Sequence, residues 1–426
     1  MRVLWFSVTP SLFNPYSNTH NGGGWIASLE QIVRGMPEIE LGVSFYFRTD
    51  CGVYENDGVK YYTLPNDSRG TLAKWWKPEK TEERVARYLK IIDDFKPDII
   101  QIFGSENDFG LICDKTDVPV VIHIQGSMPP YHNALFPIGM NSYDFIFGSG
   151  LKLNRRIIGL RSDRAFRRKA DREVAIFKSC HHFMGRTEWD HNLVRLFNPD
   201  ASYYHCEEAL RDSFISSDKK WCGSANGKVK IISVISNPWY KGADLILKTA
   251  QLLSRHTDLD IEWNIFGVSD IGFYERKYGI KAVDVNVNVR GAVDKDTLVN
   301  ELCSSTCYVH SSYIDNSPNS LCEAQYLGVP AIATNVGGIS SLVEDGKTGL
   351  LFPANDPYTL AAIIKHTVTD NHAKMQYLSE NEKSIAIARH NPQKISDNLL
   401  LIYQSIINRH NETHKLVSLK SDVIAV

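Results

Sequence analysis

The 426-residue chain has no run of eighteen or more apolar residues, so no segment of it has the length to cross a bilayer as a helix. Its eight cysteines form no CxxC pair and no zinc-type spacing, and scattered thiols of this kind indicate a reduced compartment. Cys303 and Cys307 stand four apart, which packing beside a helix explains better than metal does. The first residues, MRVLWFSVTP, lack the apolar core and small-residue cleavage site of a signal peptide. A cytoplasmic protein is expected. A formal net charge of −2 leaves no overall field to attract nucleic acid. Internal repeats at a solenoid period and low-complexity tracts are also missing. With 43% apolar and 23% charged residues, the composition is that of an ordinary globular protein, and the length suggests two domains.

Short apolar runs alternate with longer amphipathic segments. Strands are expected at Val3–Thr9, Asp98–Phe103, Val118–Ile124, Asp144–Gly148 and His181–Gly185 in the first half. In the second half they are expected at Lys228–Ser236, Ile261–Gly267, Val285–Gly291, Cys307–Ser311 and Ala331–Val336. This alternation indicates an α/β protein built of parallel sheets with crossover helices. The polar stretch Ser216–Lys228 lies near the middle and has the composition of a linker. The expected architecture is therefore two Rossmann-like domains, 1–217 and 228–391, followed by a last helical segment. Ligands of such sheets bind at the carboxyl ends of the strands, so two facing sheets share one cleft.

The most informative segment is NSPNSLCEAQYLGVPAIATNVGG, Asn316–Gly338, with Asp315 just before it. Asp315 and Glu323 are eight apart, and Pro318 between them forbids one continuous helix. A loop carrying Asp315 and a helix opening near Ser317–Ser320 is the economical solution. The unpaired amides and positive dipole end of such a helix suit a phosphate. Carboxylates on either side of that phosphate suit hydroxyl groups, the layout of a sugar, a diphosphate and a ribose.

The segment resembles the signature of the glycogen-synthase-like class of retaining glycosyltransferases, family 4, which have the GT-B fold of two Rossmann-like domains facing a central cleft. Glu323-Ala324, Gly328-Val329-Pro330, Ile332-Ala333-Thr334 and Gly337-Gly338 match its pattern. So does the continuation Glu344-Asp345-Gly346-Lys347-Thr348-Gly349-Leu350-Leu351 with Pro353. The first acid is Asp315 where the family has Glu. The resemblance implies transfer of a sugar from a nucleotide-diphosphate sugar to a hydroxyl acceptor, with retention of configuration and without a bound metal or other cofactor. It also implies a helix, about 392–412, that crosses back onto the first domain.

On that resemblance Glu323 binds the ribose hydroxyls and Asp315 the transferred sugar, while the amides of Asn319, Ser320 and Leu321 receive the distal phosphate. Lys241-Gly242 is similar to the family's Lys-Gly element, and Lys241 would meet the leaving diphosphate. Most relatives carry an Arg five or six residues earlier; here those places hold Ile235 and Ser236. Arg186 is the candidate replacement, against pairing with Glu188 or Asp190 at a helix start. Gly267 and Val293 fall where the family's base pocket forms, though a strand-end Gly is commonly only a turn. Asn21-Gly22-Gly23-Gly24-Trp25 stands where the family has paired glycines, and Gly23 and Gly24 would close over the donor phosphates. In Val120–Ser127, Gln125 precedes Gly126 where relatives commonly have His, and His123 lies two residues earlier. In a strand both side chains face one way. A Gln amide can hydrogen-bond a sugar as a His does, which leaves Gln125 a candidate catalytic-site residue, with His123 and Gly126 on the acceptor side.

Lys152–Arg172 carries nine basic residues against Asp163 and Asp171. With interspersed Ile157, Ile158, Leu160 and Phe166 it could rest on an anionic bilayer, at about 1 kcal/mol per basic residue near the surface, or be a solvated face. Membership of the class in bacteria often means assembly of capsule, lipopolysaccharide or another surface glycan. A lipid-linked glycan acceptor at the inner face of the plasma membrane would suit this patch. The alternatives are a non-catalytic nucleotide-sugar binding subunit, motivated by the missing Arg and His, and a GT-B nucleotide-sugar epimerase.

Overall fold

The computed structural model describes residues 1–13, 24–47, 52–65, 80–141, 143–144, 153–224, 227–236, 239–369 and 372–424. It has two parallel sheets. The first holds β1 (Arg2–Ser7), β2 (Glu40–Phe47), β3 (Val53–Asn56), β4 (Val59–Pro65), β5 (Ile99–Phe103), β6 (Val120–His123), β7 (His182–Gly185) and β8 (Ser202–His205), in the order β3-β4-β2-β1-β5-β6-β7-β8. The second holds β9 (Val229–Val234), β10 (Ile261–Phe266), β11 (Val287–Gly291), β12 (Cys307–His310), β13 (Ala331–Thr334) and β14 (Leu350–Phe352), in the order β11-β10-β9-β12-β13-β14. In each sheet the order reverses beside the first strand, the position where α/β sheets open a crevice.

The central strands are short and apolar because both faces are covered. β5 (IIQIF) is buried along its whole length, and so are β12 and β13. Among the described residues, the β3–β4 pair is the antiparallel exception. Its turn is Asp57-Gly58, both with positive φ (49° and 76°), the backbone a two-residue hairpin demands. The expected strand at Asp144–Gly148 is not one where it is described: Tyr143 and Asp144 are helical, and residues 145–148 lie outside the described residues. A run of apolar and aromatic residues cannot by itself separate a strand from a helical turn.

Helix Pro392–Ile424 packs on the first domain. Its Ile395, Leu399, Ile402, Tyr403 and Ile406 share one core with Val3, Trp5, Trp25 and Leu29. Within that core Trp5 Nε1 donates to the Tyr403 hydroxyl at 3.1 Å, and that hydroxyl donates in turn to the Gln101 side-chain oxygen. These groups are fully enclosed, so each depends on the other for hydrogen bonding. Tyr403→Phe should therefore destabilise the protein by about 1–3 kcal/mol, the cost of stranding a buried donor and acceptor. Urea denaturation followed by tryptophan fluorescence measures this, and a loss below about 0.5 kcal/mol would mean water replaces the hydroxyl.

Candidate functional site

The loop after β12 and the helix Asn319–Leu327 carry the acidic pair. Asp315 is almost wholly buried, and its Oδ2 accepts from Lys241 Nζ at 2.5 Å and from Ser312 Oγ at 3.1 Å, with His310 Nε2 3.2 Å away. Burial opposes its ionisation, but Lys241 and His310 together hold its carboxyl well below the usual carboxylate range. Asp315 is charged at any physiological pH. Lys241 ends the turn Trp239–Lys241, and Gly242 after it has φ of +77°. A Cβ on Gly242 would lie 2.0 Å from the Ser311 carbonyl oxygen, so only glycine lets the two loops touch.

Gly337-Gly338 serves the same end. A Cβ on Gly337 would fall 1.9 Å from the Asp315 carbonyl oxygen, and one on Gly338 would fall 2.4 Å from that of Asn316. Gly338 N donates to Asp315 O at 3.0 Å. The glycine pair therefore fixes the loop that holds Asp315. Of the three amides at the start of helix Asn319–Leu327, that of Leu321 already donates to Pro318 O at 3.0 Å, and the Leu321 side chain is in the core. Asn319 and Ser320 stand at the open end of the helix, where amides have no intrahelical acceptor.

Glu323 lies one turn in and is nearly buried. Both its oxygens are taken by Arg211, Nε to Oε1 and Nη2 to Oε2, each at 2.6 Å. Burial pushes the Glu323 carboxyl up, and Arg211 pulls it back. Arg211 was not among the residues singled out from the sequence. It stands alone in a Leu-Arg-Asp segment with no motif around it, and only the fold brings it to Glu323.

Arg186 does not offer its charge to the cleft. Its guanidinium is 2.5 Å from Glu208 Oε1, with both side chains 2% exposed. The expected partners Glu188 and Asp190 do not take it either. Asp190 accepts instead from the backbone amides of Arg186 and Thr187, the latter as part of a capping box that opens helix Glu188–Phe197. His123 is also a core residue. β6 ends at His123, so His123 and Gln125 do not share a strand face. The His123 ring lies edge-on to Trp25 at 5.4 Å, and burial lowers its pKa to about 3. Gln125 is half-buried, and its carbonyl accepts from Asn316 Nδ2 at 3.2 Å. Gly126 is packed under the Tyr131 ring. Gly267 and Val293 follow β10 and β11. Gly267 has φ of +94°, and a Cβ there would lie 2.3 Å from the Ile235 carbonyl oxygen, so packing alone accounts for this glycine. Gly23 falls outside the described residues; Gly24 opens helix Gly24–Arg34.

The two domains meet through Asn316. Its amide donates to Gln125 O and to Asp190 Oδ2, each at 3.2 Å, and its oxygen accepts from Thr187 Oγ1 at 2.6 Å. Beside this junction, Glu106 follows β5 with its carboxyl oxygen packed over Gly104 and near Gln125. Burial pushes Glu106 up to about 7. Neither Asn316 nor Glu106 carries a sequence signal of its own.

Two facing parallel-sheet domains, with a Lys–Asp pair and a helix N-terminus at the carboxyl ends of the second sheet's strands, define a GT-B protein. Residues 216–385 match the family model for glycosyl transferases group 1. The chain is 27% identical over 215 residues to a D-inositol 3-phosphate glycosyltransferase of Arthrobacter sp. (strain FB24). That match covers 48% of this chain and 51% of the relative, about half of each. Among solved structures, sucrose-phosphate synthase from Thermosynechococcus elongatus superposes with a TM-score of 0.69 at 14% identity, covering 96% of this chain and 99% of that one. Anabaena HepE in complex with UDP-glucose gives a TM-score of 0.61 at 14% identity, covering 95% and 100%. The similarity to group 1 glycosyl transferases covers residues 216–385, and the fold of the chain is that of the GT-B glycosyltransferases.

The fully buried Glu173 generates a pH dependence. It accepts from Met128 N at 2.5 Å and from Ser105 Oγ, yet burial, with Glu106 nearby, pushes it up to about 8 from an ordinary 4.5. Its folded pKa is raised, so the folded protein binds more protons than the unfolded chain between these values. Stability should fall as pH rises through that window and level off above it. Glu173→Gln should flatten the decline in Tm between pH 5 and 8 and exceed wild type at pH 8. An unchanged slope would show that Glu173 is ionised throughout.

Proposed function

We propose that the protein transfers a sugar from a nucleoside diphosphate sugar to a hydroxyl acceptor, with retention of configuration and no requirement for metal. The observation that carries this reading is Lys241 Nζ at 2.5 Å from Asp315 Oδ2, beside the N-terminus of the helix that bears Glu323. Diphosphate placed at that N-terminus meets helix amides and an ammonium. Both grow more favourable as negative charge develops on the leaving group. Asp315, ionised and adjacent, accepts hydroxyls of the transferred sugar. Glu323 takes the ribose, one helical turn further in. The resemblance to retaining family 4 enzymes supports retention. HepE, solved with UDP-glucose, makes a uridine diphosphate sugar the first donor to test.

The variants separate these roles. Lys241→Ala should lower kcat by about 10²–10³ and raise donor KM much less, because the charge it meets is largest in the transition state. Glu323→Ala should weaken free nucleoside diphosphate and whole donor alike in calorimetric titration. Asp315→Ala should leave nucleoside diphosphate binding nearly intact while turnover collapses. Equal losses of nucleotide affinity in the last two would refute the division of labour.

The acceptor side of the proposal is a lipid-linked glycan of a cell-surface polysaccharide, met at an anionic membrane. In helix Leu153–Ser179, Arg164, Arg167, Arg168 and Lys169 are exposed, whereas Arg172 donates to Glu106 O at 2.6 Å and belongs to the fold. Lys152 and the side chains of Arg155, Arg156 and Arg161 lie outside the described residues. Binding through this face should fade with salt, since the Debye length shrinks from about 10 Å at 0.1 M to about 3 Å at 1 M. Arg164, Arg167 and Arg168 replaced together by Gln should abolish low-salt sedimentation with phosphatidylglycerol vesicles and leave donor hydrolysis unchanged. Vesicle binding by the variant, or none by wild type, would point to a soluble acceptor.

A further inference from the structure

Resting on the nucleoside diphosphate reading, we infer that Arg211 is the second cation of the diphosphate site, held in position by Glu323. On the family resemblance an arginine would precede Lys241 by five or six residues, and here those places hold Ile235 and Ser236. Arg186 cannot supply one, because Glu208 takes its charge where both side chains are 2% exposed. Moving it would strand a buried carboxylate.

Arg211 is placed differently. Its side chain is 24% exposed while Glu323 is 2% exposed, so the guanidinium forms the surface and the carboxylate its support. The pair uses Nε and Nη2, two adjacent corners of the fork. An arginine has five N–H donors, and a side-on pair with a carboxylate leaves Nη1 and one Nη2 hydrogen for another anion.

The location suits a diphosphate. Glu323 is one turn from Asn319 and Ser320, about 5.4 Å along the helix axis, and it holds the guanidinium by both its oxygens. The alkyl stem stays with the first domain, where a Cβ on Gly24 would lie 2.9 Å from Arg211 Cδ and 3.0 Å from Cγ, and the guanidinium reaches Glu323 of the second. Gly24 opens helix Gly24–Arg34. Arg211 thus spans two helix N-termini, one from each domain. The Phe214 ring beneath it, 4.7 Å from Cζ, fixes the plane of the fork. Glu323 in this arrangement works partly through Arg211: it holds the guanidinium at the phosphate and takes ribose with what remains of its accepting capacity.

The test compares how much affinity the diphosphate adds to the nucleoside. UDP, GDP, ADP and dTDP, and the matching nucleosides, are titrated calorimetrically into wild type, Arg211→Ala, Arg211→Lys, Glu323→Gln and the Arg211→Ala/Glu323→Gln pair. The ratio of nucleoside to nucleoside diphosphate Kd should fall at least tenfold in Arg211→Ala and recover in part in Arg211→Lys. The paired variant should show the same ratio as Arg211→Ala alone, since Glu323 acts on phosphate through Arg211. Donor turnover should fall in kcat and in kcat/KM, and circular dichroism confirms that each variant is folded. An unchanged ratio in folded Arg211→Ala overturns the inference and leaves the nucleotide reading standing. Wild type that binds none of the four diphosphates overturns both.

Discussion

The cleft depends on one buried side-chain amide. Asn316 comes from the second domain, is fully enclosed, and finds its partners in the first: Thr187, Asp190 and the Gln125 carbonyl. An amide withdrawn from water without partners costs on the order of 1–3 kcal/mol, so its burial requires the walls to stand at this spacing. The spacing in turn requires Gly337 and Gly338, since a methyl group at either would push the Asp315–Asn316 loop away. Thr187 and Asp190 cap a helix on one wall and grip Asn316 on the other, so local helix chemistry and domain contact share the same atoms.

Three ion pairs line this junction, and their exposures separate their roles. Arg186–Glu208 is sealed, Arg211–Glu323 shows only its arginine, and Lys241–Asp315 is 18% and 8% exposed. Sealed pairs contribute little net stability because desolvation consumes the attraction, but removing one partner is costly. Arg186 and Glu208 are therefore a fixed strut beneath the cleft. The other two pairs present a cation that an anionic ligand can reach and a carboxylate that keeps the cation in place. Site electrostatics here come from pre-arranged opposites, with little charge left to reorganise when a ligand enters.

Much of this was legible in the sequence because it was local. The Asp315 loop, the helix opening after Pro318, the Gly337-Gly338 pair and Lys241-Gly242 are written in consecutive residues, and the glycines matter for a reason that residue type alone conveys. β5 and β12 are buried on both faces, and their largely apolar runs announced them, as such runs did for β1, β6, β9, β10 and β13. β8 (SYYH), half-exposed, and β14, three residues long, did not stand out, and neither did β2, β3 and β4. The Asp57-Gly58 hairpin was not read from the sequence, although its turn pair is of a kind that hairpins favour. What stayed hidden were tertiary partnerships. Whether Arg186 faces the cleft depends on Glu208, and whether His123 does depends on Trp25. The choice of Arg211 by Glu323 spans 112 positions. No spacing rule encodes such meetings.

The return of helix Pro392–Ile424 to the first domain has a consequence for synthesis. Trp5 and Tyr403, bonded to each other, are 398 positions apart. A ribosome releasing the chain from its N-terminus has made the whole first sheet and the whole second domain before the closing helix emerges. Until then the face of β1 and of helix Gly24–Arg34 that receives Tyr403 stays uncovered, and the first domain waits incomplete while the second has every residue of its own sheet. Assembly therefore runs against the order of translation. Until residues 395–406 have emerged, a nascent chain of this protein leaves that apolar face uncovered.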